Sequence, residues 1–431
     1  MISDWETYTL GELGQIKTGK TPPSSLGEGF GGTVPFITPG DMNGQKWIFE
    51  TDRHLNERGL SAVGTSLMPA RSVAVSCIGS DMGKAALLSE PSVTNQQINT
   101  IAVDESRFNA EFVYYDLSVR QQELKAAASG SATPILNKGH FSAVEISVPP
   151  RATQDKIAGI LGRLDDKINI NRRINQTLEA MAQAIFKSWF VDFDPVKAKI
   201  AAKAEGRDPL RAAMSAISGK AEDELDALPP EQYEQLAATA ALFPDEMVES
   251  ELGEIPEGWS IGTLDDLLVL QRGFDLPSQH RVPGNYNIIA ASGFSGTHNE
   301  AAVKGPGVVT GRSGVLGKVF FAHDDYWPLN TTLWIKEFRI ATPCFAFELL
   351  KRLDLGVFNS GSAVPTLNRN HISITPSIIP LRETIECFER FSIDLRKLIH
   401  QNEKETVKLT NLRDTLLPKL LSGELSVAEL D

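Results

Sequence analysis

The chain has 431 residues, of which 42% are hydrophobic and 23% charged, and a formal net charge of −13. This composition is typical of a soluble globular protein with two or three domains. No run of about 18 apolar residues occurs, and residues 1–10 lack a basic start followed by an apolar core, so we expect neither a membrane span nor a secretory signal. Cys77, Cys344 and Cys387 form no C-x-x-C pair, which argues against a disulfide framework or a zinc site and favours the cytoplasm.

Most of the net charge is concentrated in one stretch. Between Lys220 and Gly258, twelve acidic residues and one basic residue give a local charge of −11, which leaves −2 for the remainder. Global charge therefore says little about a local basic groove, and an ordinary acidic cytosolic protein is the alternative interpretation.

Residues 1–150 have the pattern of a mixed α/β globular domain. Short β-type runs at 34–37 and 72–76 are separated by Gly, Pro and Asn turns, and a short helix is predicted around 110–128. A further β-type run at 146–148 closes this domain.

A long helix is predicted at 151–195. We expect it to start at about Thr153 as the N-cap and to end before Pro195, since proline restricts the preceding residue. Its apolar residues recur at alternating steps of four and three, the heptad seam of a helix that packs along one partner. The residues that we assign to this pairing are Leu164, Ile168, Asn171, Leu178 and Ile185.

The seam recurs in a second long helix, predicted at 381–421. Adding 231 to each position of the first seam gives its counterpart, and Asn171 lands on Asn402, so both copies keep an amide that can fix register. We predict that the two helices pair antiparallel within one chain. The counterparts are Leu395, Ile399, Asn402, Leu409 and Leu416.

Residues 196–258 are acidic and rich in Ala and Pro, and we predict short helices and a linker that is more solvated than packed. Residues 259–380 then repeat the sequence pattern of the first globular domain. The match is closest between 130–137 (GSATPILN) and 361–368 (GSAVPTLN). Earlier landmarks also repeat, at a constant offset of 254: Trp5, Leu10, Leu13 and Gly19 correspond to Trp259, Leu264, Leu267 and Gly273.

The chain is therefore a tandem duplication of a globular domain and a long helix, followed by a tail at 422–431. We predict an α+β (mixed α/β) fold class, with two globular domains separated by two long antiparallel coiled-coil helices in an internal pseudo-twofold repeat. Between the shared landmarks the two copies diverge, which indicates one fold used twice with different surface chemistry.

Motifs for covalent chemistry are absent from the sequence. There is no H-E-x-x-H, no G-x-x-x-x-G-K-[ST] and no G-x-S-x-G, and the seven histidines have no ligand spacing. We therefore predict no catalytic residue and no metal site in this chain.

Two domains on paired helices have the geometry of a DNA reader. The seam-bearing stretch 157–190 has 34 residues and would span about 51 Å as a helix, and DNA half-sites one turn apart are separated by about 34–36 Å. Because the two halves differ in sequence, an asymmetric bipartite site would follow. A stand-alone tandem DNA-binding regulator and a non-DNA coiled-coil scaffold are the alternatives.

Some apolar residues of the helices lie outside the pairing seam. They could dock partner helices or be buried against the chain's own domains, and the sequence favours neither. These residues are Met181, Phe186, Trp189, Leu398 and Leu421.

Several stretches together resemble one known family over essentially the full length. They are YTLGEL at 8–13, TGKTPP at 18–23, PFITPGD at 35–41, ELGEIPEGW at 251–259 and LLPKLLSGEL at 416–425. In this order, within a duplicated frame, they resemble the specificity subunit of type I restriction–modification systems. The second copy departs from the pattern, because Gly273-Phe274-Asp275 replaces Gly19-Lys20-Thr21-Pro22; a different class of half-site would explain this.

The resemblance implies that each globular domain is a target-recognition domain that reads one half of a split double-stranded DNA site. It also implies that the helices set the gap and dock two methyltransferase subunits for adenine N6 methylation. Two motor–nuclease subunits would be added where cleavage is also performed. S-adenosylmethionine, ATP and Mg would then be bound by the partner subunits, with no cofactor in this chain.

Candidate DNA contacts are polar or basic residues flanked by Gly or Pro in loop-like contexts. Such side chains bind phosphates or base edges, although a solvated surface or turn position is an equally good interpretation of any single one. The candidates are Lys20, Thr38, Arg71, Ser76 and Lys84 in the first domain, and Arg272, Arg281, Arg312, Ser313, Lys318 and Asn330 in the second.

Overall fold

The computed structural model describes residues 4–79, 81–128, 135–358 and 366–427. The chain forms two compact units: unit 1 comprises residues 1–171 and 404–431, and unit 2 comprises residues 172–403. Each unit thus combines one globular domain with parts of both long helices. The repeated stretches at 130–134 and 361–365 lie outside the described residues.

Unit 1 is an α+β assembly. The long helices α5 (Arg151–Phe190) and α12 (Arg382–Leu421) contribute their first and last parts to it, respectively. Its other helices are α1 (Glu57–Val63), α2 (Ala110–Val119), α3 (Gln121–Ala126) and α4 (Lys138–Ser142). Its strands are β1 (Glu6–Thr9), β2 (Gly14–Thr18), β3 (Phe30–Ile37), β4 (Trp47–Ile48), β5 (Arg53–Leu55), β6 (Leu67–Met68), β7 (Val73–Ser76), β8 (Ala85–Leu88), β9 (Ser92–Thr94), β10 (Ile98–Val103) and β11 (Glu145–Val148).

Unit 2 repeats the α+β plan and adds a helical segment before its globular domain. Its helices besides α5 and α12 are α6 (Asp194–Ala204), α7 (Pro209–Ser218), α8 (Pro230–Ala241), α9 (Leu264–Leu267), α10 (Pro343–Arg352) and α11 (Arg369–Ser373). Its strands are β12 (Met247–Ser250), β13 (Gly253–Pro256), β14 (Ser260–Thr263), β15 (Leu268–Arg272), β16 (Tyr286–Ala290), β17 (Gly293–His298), β18 (Gly307–Gly311), β19 (Val319–Ala322), β20 (Tyr326–Pro328), β21 (Thr332–Phe338) and β22 (Pro376–Ile379).

The sheets have matching topologies in the two units. The largest sheet has the order β2-β10-β7-β8-β4 in unit 1 and β15-β21-β18-β19 in unit 2. A second sheet contains the parallel pair β3–β9 in unit 1 and the parallel pair β16–β20 in unit 2. The first strand of each domain pairs with the last, β1 with β11 and β14 with β22. The predicted α+β duplication is therefore confirmed at the level of strand order.

Both domains also begin with the same capping box. The Thr9 backbone and hydroxyl bind the Glu12 carboxylate, and those of Thr263 bind Asp266 in the same way. These hydrogen bonds, first from the threonine backbone N–H and then from its hydroxyl, lower the pKa of both carboxyls. The local sequence thus fixes the entry of each domain.

Two helix boundaries differ from the predictions. The helix expected around 110–128 is interrupted at Arg120, which separates α2 from α3. Helix α5 starts at Arg151, so Thr153 is not its N-cap; the Pro150 carbonyl accepts from the backbone N–H of Thr153 and of Gln154. The end of α5 agrees with the prediction, and Pro195 lies in the first turn of α6, where its missing N–H is tolerated.

The two long helices run antiparallel within each unit. In unit 1, Asn171 Nδ2 donates to Glu405 Oε2 at 2.8 Å, and Arg413 Nη1 donates to Asp165 Oδ1 at 2.8 Å. In unit 2, Asn402 Nδ2 donates to Asn175 Oδ1 at 2.8 Å. Both amides that we assigned to register therefore form hydrogen bonds between the two helices. Asn171 and Asn402 do not bond each other, however, and each has a different partner. All the assigned pairing residues are at least half-buried, with Asn171, Ile168 and Ile399 fully so.

The prediction of a solvated linker at 196–258 is wrong. Helices α6 to α8 and the hairpin β12–β13 fill this range, and Ala213, Met214, Leu225 and Ala240 form a small core. Phe243 and Ile255 join the main core of unit 2. Apolar positions on short helices are too sparse to reveal this packing, because their partners lie elsewhere in the chain.

The structure shows which apolar residues outside the pairing seam are buried against the chain's own domains. Phe186 and Trp189 are 2% exposed and pack on Phe388, so they serve the chain's own core. Leu421 is half-buried and packs against the core of unit 1. Met181 and Leu398, in contrast, are 48% and 49% exposed.

Candidate nucleic-acid interface

Three loop segments converge in unit 2 at the ends of its largest sheet. They are the exit of β15 (272–275), the turn before β21 (329–331) and the β18–β19 connection (312–318). We call these three segments the unit 2 loop cluster. The N–H of Phe274 donates to the Pro328 carbonyl at 2.8 Å, and the N–H of Arg312 donates to the Thr331 carbonyl at 2.8 Å. Backbone hydrogen bonds therefore hold the three segments together.

Unit 1 has the equivalent arrangement, the unit 1 loop cluster (18–21, 94–97 and 77–84). The N–H of Lys20 donates to the Thr94 carbonyl at 2.9 Å. The Cys77 carbonyl accepts from Leu136 at 3.0 Å, as the Arg312 carbonyl accepts from Leu367 at 2.8 Å. Residue 80 lies outside the described residues. The backbone frame is the same although the side chains differ.

The duplicated glycines Gly19 and Gly273 explain how the first two segments meet. A Cβ at Gly19 would lie 2.1 Å from the Thr94 carbonyl oxygen, and one at Gly273 would lie 2.2 Å from that of Leu329. Only glycine permits this approach of backbone to backbone. The glycine that the sequence repeats therefore builds the loop cluster in both units.

The side chains of the unit 2 loop cluster form a connected polar group. Asp275 Oδ1 accepts from Asn330 Nδ2 and, at 3.4 Å, from Arg272 Nη2. Arg312 Nη1 donates to the Asn330 carbonyl at 3.3 Å. Ser313 is held by its backbone N–H, which donates to the Thr331 carbonyl at 3.1 Å. Four predicted contacts thus come together, with a carboxylate that the sequence analysis did not select.

Two further unit 2 candidates lie beside this group. Lys318 is exposed, and its carbonyl accepts from Gly311 N–H at 3.1 Å. Arg281 is half-buried: its Nε donates to the Leu276 carbonyl at 3.3 Å, and its Nη1 donates to the Ser295 carbonyl at 3.3 Å. Arg281 therefore ties the 276–281 loop to the β16–β17 hairpin and presents less of its guanidinium to solvent.

The unit 1 candidates are not brought together as a group. Lys20 is exposed in the unit 1 loop cluster, and Lys84 is partly exposed there with its Nζ 2.8 Å from Asp81. Ser76 is fully buried, and its hydroxyl accepts from Lys84 N–H and donates to the Asp81 carbonyl. This location contradicts a direct DNA contact by Ser76, because no part of the hydroxyl reaches solvent.

Thr38 and Arg71 have structural partners. Thr38 directly follows Ile37, whose carbonyl accepts from the Asn95 N–H of the unit 1 loop cluster at 2.9 Å. The Thr38 hydroxyl donates to Asp41 at 2.7 Å in a capping box. Arg71 pairs with Glu105 at 2.7 Å and Glu111 at 3.2 Å. Partial burial lowers the pKa of Arg71, but the hydrogen bond and charge of Glu105 outweigh this effect and raise the pKa above its ordinary value.

The sequence analysis missed three exposed or polar groups beside the loop clusters. Asp275 and the pair Thr21–Gln96, joined at 2.6 Å, lie within them, and Phe294 is 67% exposed on the adjoining β17. A signal was available for Asp275 and for Thr21, since both fall in the short stretch at which the second copy departs from the first. An exposed aromatic on a strand has no distinguishing pattern in sequence.

The cationic and amide groups of this arrangement can bind polar and anionic ligands. Within the described residues, no group of His, Cys, Asp and Glu has the arrangement of a metal site, and the three cysteines are buried thiols. Burial raises the pKa of Cys77 to about 11, so its thiolate is disfavoured. In the ranges that the structure covers, none of the helices is long and apolar enough to span a membrane.

Comparison with known proteins gives consistent results. Residues 2–180 match the family described as the type I restriction modification DNA specificity domain. The specificity subunit of the type I restriction enzyme HindI from Haemophilus influenzae is 28% identical and covers 98% of this chain and 100% of the relative. The MjaIX specificity subunit from Methanocaldococcus jannaschii is 25% identical, covering 99% and 95%.

A solved structure shares the fold. The S subunit of a type I restriction–modification system from M. genitalium superimposes with a TM-score of 0.60 over 97% of this chain and 96% of that one, at 16% identity. Duplicated domains with matching loop clusters, carried on antiparallel helices, define a tandem recognition protein. Residues 2–180 match the type I restriction modification DNA specificity domain, and over nearly its full length the chain is similar to specificity subunits of type I restriction enzymes.

Proposed function

We propose that this chain is the DNA sequence-specificity subunit of a type I restriction–modification complex and that each loop cluster reads one half of an asymmetric, bipartite site. The observation that carries the proposal is the duplicated loop cluster, in which one backbone frame presents different side chains. Identical frames allow both domains to approach a duplex in the same way. Different side chains allow the two half-sites to differ in sequence.

The chemistry of the unit 2 loop cluster supports this role. Arg272 and Lys318 are exposed cations, and Arg312 is a half-buried one. Guanidinium and ammonium groups neutralise phosphates and can read guanine, whereas the Asn330 amide can read a base edge. The unit 1 loop cluster presents the exposed residues Lys20, Thr21 and Gln96.

We also propose that the helices dock methyltransferase subunits. In unit 2, Ile174 and Met181 on α5 and Phe391 and Leu398 on α12 are each 43–49% exposed. Within each pair the residues are seven apart, so they share one helix face. Each of these four exposed residues directly precedes a residue that is buried or forms a hydrogen bond between the helices in unit 2. The residues that follow them are Asn175, Ala182, Ser392 and Ile399. In an antiparallel pair, such positions lie on one side, which gives an apolar patch suited to partner helices.

Catalysis and cofactor binding are assigned to the partners. The chain would carry no catalytic residue, and S-adenosylmethionine would be bound by two methyltransferase subunits that methylate adenine N6. ATP and Mg would be bound by motor–nuclease subunits where these are present. The chain alone would supply sequence recognition and assembly.

The proposal is tested by co-expressing the chain with a candidate methyltransferase subunit and mapping modified adenines in the host genome. We expect a split motif methylated on both strands. The motif should disappear when the side chains of the unit 2 loop cluster are substituted. A stable complex without methylation would favour a protein scaffold, and DNA binding without any methyltransferase complex would favour a stand-alone regulator.

Arg312→Ala tests the unit 2 loop cluster directly. Loss of the guanidinium is expected to weaken binding of the second half-site by about 5- to 150-fold, because one bidentate contact supplies discrimination of that order. Binding of the mapped duplex at several salt concentrations provides the measurement. A phosphate contact would reduce the salt slope by about one, whereas a base contact would relax the motif at one position. Arg382→Ala, which removes an exposed guanidinium at the start of α12, is the matched control. Unchanged affinity and motif would exclude Arg312 from the interface.

The apolar patch is tested by Leu398→Asp. A charge in the centre of a docked apolar surface is expected to weaken association with the methyltransferase subunit roughly tenfold or more. Co-purification and titration measure this, and DNA binding by the chain alone should not change. Ile374→Asp, at a position that is 68% exposed outside the patch, serves as the control. Equal effects of the two substitutions would contradict docking at the patch.

A further inference from the structure

The amide of Asn330 has a defined orientation in the unit 2 loop cluster. Its Nδ2 donates one N–H to Asp275. A carboxylate only accepts hydrogen bonds, so the nitrogen end of the amide must face Asp275 and the oxygen end must point away. Asp275 also accepts from Arg272 at 3.4 Å, so its carboxylate lies between two donors. The amide is therefore oriented before any ligand binds.

One edge of this amide remains available. No described residue donates to Asn330 Oδ1, and this oxygen is not one of the buried polar atoms that lack a partner, so it reaches solvent. A primary amide has one N–H on the same edge as its oxygen and one that points away, and we assign the N–H that points away to Asp275, which leaves the other beside Oδ1. An adjacent donor and acceptor match the N7 acceptor and N6 amino group of adenine in the major groove.

We infer that Asn330 reads an adenine in the second half-site and that Asp275 is the positioning residue that presents its amide edge. The backbone around Asn330 is held by its neighbours: its carbonyl accepts from Arg312 Nη1 at 3.3 Å, and the Thr331 carbonyl accepts from Arg312 N–H at 2.8 Å. A fixed backbone and a fixed amide plane together provide the bidentate geometry that base discrimination requires.

The equivalent residue of unit 1 cannot have this role. Asn95 is 8% exposed; its Nδ2 donates to Gln97 Oε1 at 3.0 Å, and its Oδ1 accepts from Gln97 N–H at 3.0 Å. Both ends of the Asn95 amide are thus used within the turn. The duplicated asparagine supports a turn in unit 1, whereas in unit 2 the carboxylate of Asp275 frees one edge for recognition.

This inference rests on the proposed function, and the experiment separates the two. The purified full chain is used to select binders from a library of random DNA duplexes, and the enriched motif is compared among variants. The wild-type chain is expected to enrich a split motif. Asn330→Ala should leave the first half unchanged and remove the preference at one A·T position of the second half. Discrimination at that position should fall about 5- to 150-fold in competition binding.

Asn411→Ala removes an exposed amide from α12 in unit 1 and should retain the complete motif. A wild-type selection with no enriched motif would overturn the proposed function and this assignment with it. An enriched motif that Asn330→Ala leaves intact, or whose affected position is a G·C pair, would overturn only the adenine assignment.

The positioning role of Asp275 is tested by the base preference of Asp275 variants in the same selection. Asp275→Ala should relax the same A·T position while the melting temperature and the first half of the motif stay unchanged, because the amide can then rotate. Asp275→Glu keeps a carboxylate acceptor and should restore part of the adenine preference. An unaltered preference in Asp275→Ala would show that the amide needs no positioning residue.

Discussion

Replacing Arg396 by alanine is expected to lower the free energy of unfolding of unit 2 by about 3–5 kcal/mol. Arg396 on α12 and Glu348 on α10 are each 3% exposed, and Arg396 Nη2 donates to Glu348 Oε1 at 2.6 Å. The guanidinium also lies 4.1 Å from the ring centroid of Phe347. Without Arg396, the Glu348 carboxylate would remain buried without this partner, which costs far more than the loss of an exposed ion pair.

The effect of Arg396→Ala should depend on pH. Burial raises the pKa of Glu348, although the charge of Arg396 opposes the rise. Since the folded state then binds the proton more tightly than the unfolded state, stability falls as pH rises from the ordinary pKa through the raised one. Removing Arg396 raises this pKa further. The destabilisation should therefore be smaller at about pH 5 than at about pH 8.

Denaturant unfolding followed by tryptophan fluorescence measures both effects, since unit 2 contains Trp189, Trp259, Trp327 and Trp334. Arg382→Ala is the matched control: Arg382 lies on the same helix and pairs with Glu386, but its side chain is 70% exposed, so a change below about 0.5 kcal/mol is expected. Glu348→Gln added to Arg396→Ala should recover part of the loss. A loss below about 1 kcal/mol that ignores pH would contradict a buried ion pair.

Phe243→Ala is the second substitution with a large expected effect, about 3–5 kcal/mol. Phe243 lies in the acidic segment 196–258, is 2% exposed and packs edge-on against Trp189 at 5.2 Å between ring centroids. Lys199 Nζ donates to the Phe243 carbonyl, and burial lowers the pKa of this lysine. The substitution would leave a cavity between the acidic segment and the end of α5.

The shift of the unit 2 transition in denaturant measures this effect as well. Phe294→Ala removes the same side chain from a position that is 67% exposed, and it should change stability by less than about 0.5 kcal/mol. Equal, small effects of the two substitutions would mean that the acidic segment behaves as a solvated linker after all. A large effect of Phe243→Ala alone would identify the segment as part of the unit 2 core.

Sequence alone determined the features that rest on local periodicity and on repetition. The heptad spacing predicted two long helices, and the offsets of 254 and 231 predicted that one α+β domain occurs twice. Gly19 and Gly273 could be aligned because glycine is required wherever two backbones approach this closely. These signals are strong because each depends on residue type at fixed spacing, which no distant partner alters.

Only the tertiary structure decided which polar residues face solvent and which apolar ones are buried. Ser76 and Asn95 are residue types that are common in binding loops. Their polar groups instead form hydrogen bonds with neighbouring backbone or side chains. Phe243 meets Trp189, 54 positions away in sequence, and Asp275 meets Asn330, 55 positions away. Burial and hydrogen-bond partnership are properties of pairs brought together by folding, so no local pattern contains them.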